Sequence, residues 1–230
     1  TKDGTNNIDK GANLNAFSGI LDGNNKLLTV PKGGLPLLGY IKGATVKNLN
    51  IYGEQIDGYG LVNNFEGVGL SGSAIVIDNV TLKSGTKTLK AGLIGANITT
   101  NGFAGNSASF VATIRNCSIE KDVIIGYQGN QGRIGSFAGR FQGTIENCVS
   151  YATVMGTDYV GGIIGTRDNA LGNCSVENCT FGGKVVASGK DAGGIVGGGY
   201  QNGTAPNGGK ISIMSCTVSG TVSGDRNVGG

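Results

Sequence analysis

The stretch Ile145-Glu-Asn-Cys148, followed by Val154-Met-Gly156 and then by Val160-Gly-Gly-Ile-Ile-Gly165, decides the fold of this chain. It returns almost intact as Val176-Glu-Asn-Cys179, Lys184-Val-Val-Ala187 and Gly193-Gly-Ile-Val-Gly197. A unit that recurs in a fixed order is the sequence signature of a repeat protein. The remainder of the chain can therefore be compared with this unit, motif by motif.

Two motifs of the unit alternate along most of the sequence. The first is an aliphatic residue, any residue, Asn or once Ser, and then Cys or an apolar residue: Val46-Lys-Asn-Leu49, Ile77-Asp-Asn-Val80, Ile114-Arg-Asn-Cys117, Ile145-Glu-Asn-Cys148, Val176-Glu-Asn-Cys179 and Ile213-Met-Ser-Cys216. Its fourth positions lie 31, 37, 31, 31 and 37 residues apart. The second is an apolar pair usually followed by Gly: Leu37-Leu-Gly39, Leu61-Val-Asn63, Leu93-Ile-Gly95, Phe137-Ala-Gly139, Ile163-Ile-Gly165 and Ile195-Val-Gly197.

These segments are too short, and too rich in Gly and β-branched residues, to form helices. Short strands repeated in register predict a solenoid, in which each repeat forms one coil and strands of successive coils lie parallel. Connections between such strands are almost always right-handed. We therefore predict an all-β fold, a right-handed parallel β-helix of about seven coils.

The domain organisation follows from the extent of the repeats. Residues 1–16 are polar without a clear period and are expected to form an irregular lead-in. In the next segment, two apolar pairs flank Asp22-Gly-Asn-Asn25, which predicts a strand, a turn and a second strand. Residues 17–230 are expected to form a single β-helix domain. Because Gly230 falls within a repeat, we expect this domain to be truncated at its C-terminal end and to belong to a longer chain.

Composition narrows the class of protein further. Gly contributes 45 of 230 residues, but the every-third-residue register of collagen is absent. The net charge is +3 and the basic residues are scattered, so a phosphate-binding stripe and a nucleic-acid partner are not expected. No apolar run approaches the roughly 20 residues of a membrane-spanning helix, so no membrane insertion is expected.

The Asn of the first motif has a conformational explanation. Val176, Cys179 and Phe181 are apolar, and their spacing does not fit the strict inward–outward alternation of side chains in a strand. The alternation shifts by one residue at the Asn, so the chain must bend there. Asn tolerates the left-handed conformation that a tight bend needs. Stacked coils would place these residues in one column with amides hydrogen-bonded along the rod: Asn48, Asn79, Asn116, Asn147 and Asn178. The Gly after the second motif is expected to adopt a positive φ as well, because Asn63 replaces it once.

Four of the five cysteines share one repeat position, which Leu49 and Val80 fill in earlier copies: Cys117, Cys148, Cys179 and Cys216. Interchange with Leu and Val predicts a buried column of reduced thiols that act as small hydrophobic residues. A disulfide between neighbouring coils is the alternative, although parallel Cβ vectors disfavour its dihedral angle. Cys174 lies outside the column, either as a loop thiol or as a pairing partner. Without His or paired Cys motifs, no metal site and no cofactor are predicted.

One pair of acids is a candidate for catalysis. Glu146 and Glu177 precede the motif Asn in successive copies, so stacking would place them about 5 Å apart, a separation found in retaining glycoside hydrolases. Arg115, one copy earlier, instead indicates a solvated ladder of charges on the outside of the sheet. We therefore predict no catalytic residues and expect that this chain is not an enzyme.

The connections between repeats are the better candidates for function. The step from the second motif to the next first motif varies between 6 and 19 residues. Solenoids accept such insertions on one side of the rod, where they often form the binding face. Two long polar insertions contain aromatic residues, and the candidates for ligand contact are Asn101, Phe103, Tyr200 and Asn202. Surface loops without a ligand are the alternative.

The unit Ile-x-Asn-Cys, Gly-x-Val, Val-Gly-Gly-Ile-Ile-Gly resembles the GLUG repeat of large bacterial surface proteins. The segment Phe17-Ser-Gly-Ile-Leu-Asp-Gly-Asn-Asn-Lys26 resembles the segment that often precedes those repeats. The resemblance covers residues 17–230 and implies a right-handed parallel β-helix in an extracellular, often adhesin-like setting. Related repeats also occur beside immunoglobulin-A-specific metallopeptidases, but this chain contains no His and hence no His-Glu-x-x-His motif.

The expected function is therefore that of a non-enzymatic, extracellular module of a bacterial cell-surface protein, acting as a stalk, an adhesin or both. The expected partners are a host glycan or a host or matrix protein, together with the remainder of the longer surface chain. Two alternatives stay open. One is a polysaccharide-active β-helix enzyme of the lyase or hydrolase type, and the other is an accessory region of a large surface protease.

Overall fold

The computed structural model describes residues 17–41, 43–66, 75–98, 112–167, 173–198 and 210–230. Throughout these ranges the chain forms strands and turns and contains no helix. The described part accordingly includes no helix with the length and apolarity needed to cross a membrane. The all-β class predicted from the sequence is confirmed.

Most strands are short, as the spacing of the motifs predicted. In chain order they are β1 (Ile20–Val30), β2 (Leu38–Ile41), β3 (Thr45–Gly53), β4 (Val62–Glu66), β5 (Ile75–Leu82), β6 (Lys87–Thr88), β7 (Ile94–Ile98), β8 (Ala112–Arg115), β9 (Ser118–Ile119), β10 (Ile124–Gly126), β11 (Ile134–Gly135), β12 (Ala138–Phe141), β13 (Gly143–Glu146), β14 (Val149–Ser150), β15 (Thr153–Gly156), β16 (Val160–Gly161), β17 (Ile164–Arg167), β18 (Cys174–Glu177), β19 (Thr180–Phe181), β20 (Lys184–Ala187), β21 (Lys190–Gly193), β22 (Val196–Gly198), β23 (Ile211–Met214), β24 (Thr217–Val218), β25 (Thr221–Ser223) and β26 (Arg226–Gly229).

The described strands form four sheets, which the chain visits in turn within each complete repeat. The first sheet contains β1, β3, β5, β8, β9, β13, β14, β18, β19, β23 and β24, and the second contains β6, β10, β15, β20 and β25. The third sheet contains β11, β16, β21 and β26, and the fourth contains β2, β4, β7, β12, β17 and β22. Each strand pairs in parallel with the equivalent strand of the next repeat, so that Ile114, Ile145, Val176 and Ile213 follow one another in register. The result is a parallel β-helix-like fold.

The core lies inside the curled sheets and follows the predicted pattern of the first motif. Val176, Cys179 and Phe181 are all buried, and the equivalent side chains of the two preceding repeats are buried with them. Burying one aliphatic or aromatic side chain contributes about 1.5–3 kcal/mol. Stacking therefore gives each repeat a core that it could not form alone.

The bend in the first motif is left-handed at every copy. Asn48, Asn79, Asn116, Asn147 and Asn178 have φ values of 53°, 53°, 54°, 53° and 51°. Ser215, the one substitute, has a φ of 51°. The bend therefore belongs to the repeat, and Asn is the side chain that reaches it at the lowest conformational cost.

We predict that Asn147→Ala lowers the free energy of unfolding by about 1–2 kcal/mol, because alanine is strained in the left-handed region. Asn147→Gly should cost less than about 1 kcal/mol, because glycine adopts that region freely. Both variants keep the backbone hydrogen bond from Asn147 N to Glu177 O, which is 3.0 Å long. Equilibrium unfolding in urea measures the difference. Thr144→Ala, at an outward position of the preceding strand β13, is the control, and equal costs for the two Asn147 variants would contradict this explanation.

The prediction of a strand, a turn and a second strand near the N-terminus is wrong. Residues 20–30 form the single strand β1, which pairs in parallel with β3 on both sides of a register shift between Asp22 and Lys26. Asn24 and Asn25 adopt φ values of 47° and 57° within that shift. The Gly-Asn-Asn segment therefore forms a bulge at the position of the Asn bend, and β1 is a diverged copy of the first motif.

The predicted positive φ is also wrong for Gly165 and Gly197 of the second motif. Both lie in strands of the fourth sheet with φ outside the left-handed region. A Cβ on Gly165 would lie 2.6 Å from the backbone N of Ile134, and one on Gly197 would lie 2.5 Å from that of Val160. These glycines are thus required because the fourth sheet passes close to the third-sheet strand of the preceding repeat.

Candidate functional site

The residues that precede the motif Asn form a column of charges on the outer face of the first sheet. Lys47 lies 3.3 Å from Asp22, measured from Nζ to Oδ2. Arg115 Nη2 lies 2.9 Å from Asp78 Oδ2, with the two side chains 45% and 21% exposed. Burial opposes ionisation of Asp78, but hydrogen bonds from Asn116 and Arg115 outweigh it and hold the pKa of this carboxyl below its usual value. Such exposed pairs stabilise a protein by about 1 kcal/mol or less.

Glu146 and Glu177 are direct neighbours in this column, as the repeat spacing predicted. Arg115 lies beside Glu146 in the register, but its guanidinium pairs with Asp78 on its other side. Glu177 accepts a hydrogen bond of 2.6 Å from Ser175 Oγ of its own strand. The two glutamates are thus half-buried members of a polar ladder on an outward-facing surface.

Amide hydrogen bonds along the Asn column occur at its N-terminal end. Asn79 Nδ2 donates to Asn48 Oδ1 at 2.9 Å, and Asn48 Nδ2 donates to Asp22 Oδ1 at 3.1 Å. Asn116 instead donates to the carboxylate of Asp78 at 2.8 Å. The described hydrogen bonds therefore form two separate sets on the surface of the rod, one joining Asp22, Asn48 and Asn79 and the other joining Asp78 and Asn116, and each supports the backbone bends in its own repeats.

The cysteine column lies on the inner side of the same bends. Cys117, Cys148 and Cys179 are at most 2% exposed, whereas Cys216 is half-buried. The Sγ of Cys148 lies 3.2 Å from the carbonyl oxygen of Glu146 and 3.8 Å from that of Ile114 in the preceding repeat. Hydrogen bonding with the neighbouring thiols, together with burial, raises the pKa of Cys148. Cys148 is therefore a neutral thiol, and the buried members of the column pack as core residues.

Cys174 takes a place that neither sequence alternative described. It lies in β18, is 1% exposed and stacks between Gly143 and Ile211 in register. No disulfide links any of the five cysteines, all of which lie in the described ranges. Within the described residues, no group of three or more His, Cys, Asp or Glu side chains could hold a metal ion.

We predict that the protein, unfolded without a reducing agent, exposes five titratable thiols, because no disulfide links its cysteines. In the native state Cys216 should react with a thiol reagent much faster than the others, because it is the half-buried member of the column. A Cys216→Ser variant should lose this fast phase and keep the slow one. The loss of thiols in pairs from unfolded wild-type protein would show disulfides and contradict the prediction.

The candidate ligand residues Asn101, Phe103, Tyr200 and Asn202 lie outside the described residues. The strands on either side nevertheless fix where their segments are attached. Residues 67–74, 99–111, 168–172 and 199–209 each follow a strand of the fourth sheet, namely β4, β7, β17 and β22. Each segment leads into the next first-sheet strand, β5, β8, β18 or β23. The long insertions are therefore attached along one corner of the rod.

A second surface was not predicted from the sequence. Tyr127 and Tyr151 are 51% and 41% exposed, and they lie at opposite ends of second-sheet strands, Tyr127 after β10 and Tyr151 before β15. Each belongs to a turn of a different repeat, so no local spacing links them. The in-register pairing of β10 with β15 brings these two turns to opposite ends of the same sheet.

The fold and these surfaces define a class of protein, a repeat scaffold with parallel β-helix-like architecture. No protein-family model matches the sequence, and a search of curated proteins gives no match. Among solved structures, the chain is similar to the crystal structure of a "putative immunoglobulin A1 protease" from Bacteroides ovatus, with a TM-score of 0.54 and 18% sequence identity. The match covers 91% of this chain and 68% of that chain. At this identity the similarity concerns the fold alone.

Proposed function

We propose that this chain is a non-enzymatic, extracellular module of a bacterial cell-surface protein, serving as a stalk, an adhesin or both. In this proposal it is a right-handed parallel β-helix of about seven GLUG-like coils within a longer surface chain. The observation that carries the proposal is that both long insertions, and two shorter segments, are attached between the fourth and first sheets. A rod that presents its variable segments along one corner is suited to binding on that side.

The adhesive part of the proposal assigns ligand contact to Asn101, Phe103, Tyr200 and Asn202. They belong to the two longest segments attached at this corner. Aromatic side chains provide a large contact area at low entropic cost, and amides provide adaptable hydrogen bonds. The partner is a host glycan or a host or matrix protein.

Binding of the 230-residue chain to a glycan array and to a panel of host matrix proteins tests the adhesive part. We expect Phe103→Ala and Tyr200→Ala to weaken binding about tenfold, the effect of losing one well-packed aromatic contact. Leu35→Ala is the matched control, because Leu35 is 73% exposed and lies outside both segments. Binding that is unchanged in both aromatic variants would contradict the site, and no binding at all would leave only the stalk.

The non-enzymatic part has its own test. The chain is incubated with acidic and neutral polysaccharides, and new reducing or unsaturated ends are measured. We expect none, because Glu146 and Glu177 belong to an outward-facing polar ladder. Release of such ends that disappears in Glu146→Gln would overturn this part and establish the paired carboxylates as catalytic.

A second candidate function is that of an accessory region of a surface protease, and the structural similarity to the Bacteroides ovatus protein favours it. In this case the chain would position a substrate for a catalytic domain elsewhere in the longer protein. Direct binding to immunoglobulin A1, with immunoglobulin G as the control, tests the idea. Selective binding to immunoglobulin A1 would favour the accessory role over a general adhesin, and equal or absent binding to both would count against it.

A further inference from the structure

The outer face of the second sheet carries a partly apolar surface. In β10, β15 and β20 the inward residues Ile125, Val154 and Val185 are fully buried, so the alternate residues must point outward. These outward residues include Ile124 and Met155, both half-exposed. The sheet therefore presents partly exposed apolar side chains to solvent.

Exposed tyrosines border this apolar strip at both ends. Tyr151 precedes β15, and Tyr127 follows β10, the strand paired with β15. Tyr127 is 51% and Tyr151 41% exposed. Five residue steps along the strand and one step between neighbouring strands separate the two positions, which is about 17 Å. Two aromatic rings at this distance could contact two non-adjacent sugar units of one extended chain.

Lysines give the same face a positive charge. Lys87 and Lys184 are exposed and belong to the column of outward positions that also contains Ile124. The Nζ of Lys121 lies 5.9 Å from the ring centroid of Tyr151. None of these three lysines forms an ion pair with another described residue, whereas the nearby Lys83 is neutralised by Glu120.

We propose that this tyrosine–lysine face, defined by Tyr127, Tyr151, Lys87, Lys121 and Lys184, binds an acidic polysaccharide. The apolar face of a pyranose ring packs on an aromatic ring, and its carboxylate or sulfate groups attract lysine ammonium groups. Lys87 and Lys184 lie three strand steps apart, about 14 Å, so their charges suit a polymer that carries repeated anions. A nucleic acid is less suitable, because it requires a denser stripe of Lys and Arg.

The face is separate from the corner that carries the long insertions, so the inference is independent of the proposed adhesive site. The second sheet follows the first sheet in each repeat, whereas the insertions precede the first sheet. Variants of one surface should therefore leave binding at the other unchanged.

Titration of the whole chain with polygalacturonate, heparin and neutral dextran tests the proposal. We expect binding to at least one acidic polymer, weakened by added salt, and no binding to dextran. Polygalacturonate alone would assign carboxylates, and heparin alone would assign sulfates. Tyr127→Ala and Tyr151→Ala should each weaken binding about tenfold, and Lys184→Gln about threefold with a reduced dependence on salt.

Matched controls separate this site from general effects. Lys210→Gln removes an exposed lysine from the connection into the first sheet, and Leu35→Ala removes an exposed apolar side chain. Both should bind as wild type, and every variant should unfold at the wild-type temperature. Equal losses in the controls, equal affinity for dextran, tighter binding of single-stranded DNA, or no binding of either acidic polymer would each overturn the proposal.

Discussion

Replacing Gly161 with alanine is expected to lower the free energy of unfolding by about 3–5 kcal/mol, which is enough to prevent folding of a marginally stable domain. A Cβ on Gly161 would lie 2.5 Å from the backbone N of Gly197 and would come still closer to the carbonyl oxygen of Ile164. Both obstacles are backbone atoms, so no side-chain rotation can relieve them. The collision is held in place by the pairing of Gly161 with Gly135 and Gly193 in the neighbouring repeats.

Equilibrium urea unfolding followed by circular dichroism measures this effect. Gly39→Ala is the matched control, because Gly39 lies in a strand of the fourth sheet where an added Cβ would meet no heavy atom within 4 Å. It should change the free energy of unfolding by less than about 0.5 kcal/mol. A Gly161→Ala variant as stable as Gly39→Ala would show that the third and fourth sheets are not packed as closely as the structure places them.

The inward positions of the first motif could be predicted because they depend on local periodicity. Val176, Cys179 and Phe181 predict a strand that bends once, and Asn178 indicates the left-handed residue at which it bends. Similarly, interchange of Leu49 with Cys at one repeat position indicated a buried column. These features lie within a single copy of the repeat, so they can be predicted without knowledge of distant contacts.

Other features depend on contacts between repeats and were therefore missed. Gly165 looked like a turn residue, but its requirement comes from Ile134 in the preceding repeat. The Asp22-Gly-Asn-Asn25 segment has the composition of a hairpin turn, yet pairing with β3 on both sides makes it a bulge. Cys174 looked isolated in the sequence because its column partners are Gly143 and Ile211, which share no residue type with it.

The surfaces also include features that the sequence predicts and features that depend on contacts between repeats. The repeat spacing predicted that Glu146 and Glu177 are neighbours, but it could not show that Arg115 pairs with Asp78. The tyrosine–lysine face had no sequence signal, because its members come from turns and outward strand positions of four repeats. Stacking alone brings them together. In a solenoid, the residues of a binding surface thus come from several repeats, whereas the residues of the core can be recognised within each repeat.

Phe181→Ala is expected to lower the free energy of unfolding by about 3–5 kcal/mol, the usual cost of removing a fully buried phenyl ring. Phe181 is 0% exposed and stacks between Ser150 and Val218. Its ring also packs against Gly162, where a Cβ would lie 2.6 Å from the ring. Neither Ser150 nor Gly162 has a side chain that could fill the space, so the cavity should persist.

The same unfolding experiment measures this prediction, with Phe181→Leu and Leu35→Ala as comparisons. Phe181→Leu keeps most of the apolar volume and should cost about 1 kcal/mol, and Leu35→Ala should be nearly neutral because Leu35 is 73% exposed. Gly162→Ala cannot compensate for Phe181→Ala, because its Cβ would also collide with the carbonyl oxygen of Gly194. A single transition with the full loss shows that the repeats unfold together. A loss below about 1 kcal/mol, or a separate early transition, would instead show that the repeats around Phe181 unfold independently of the rest.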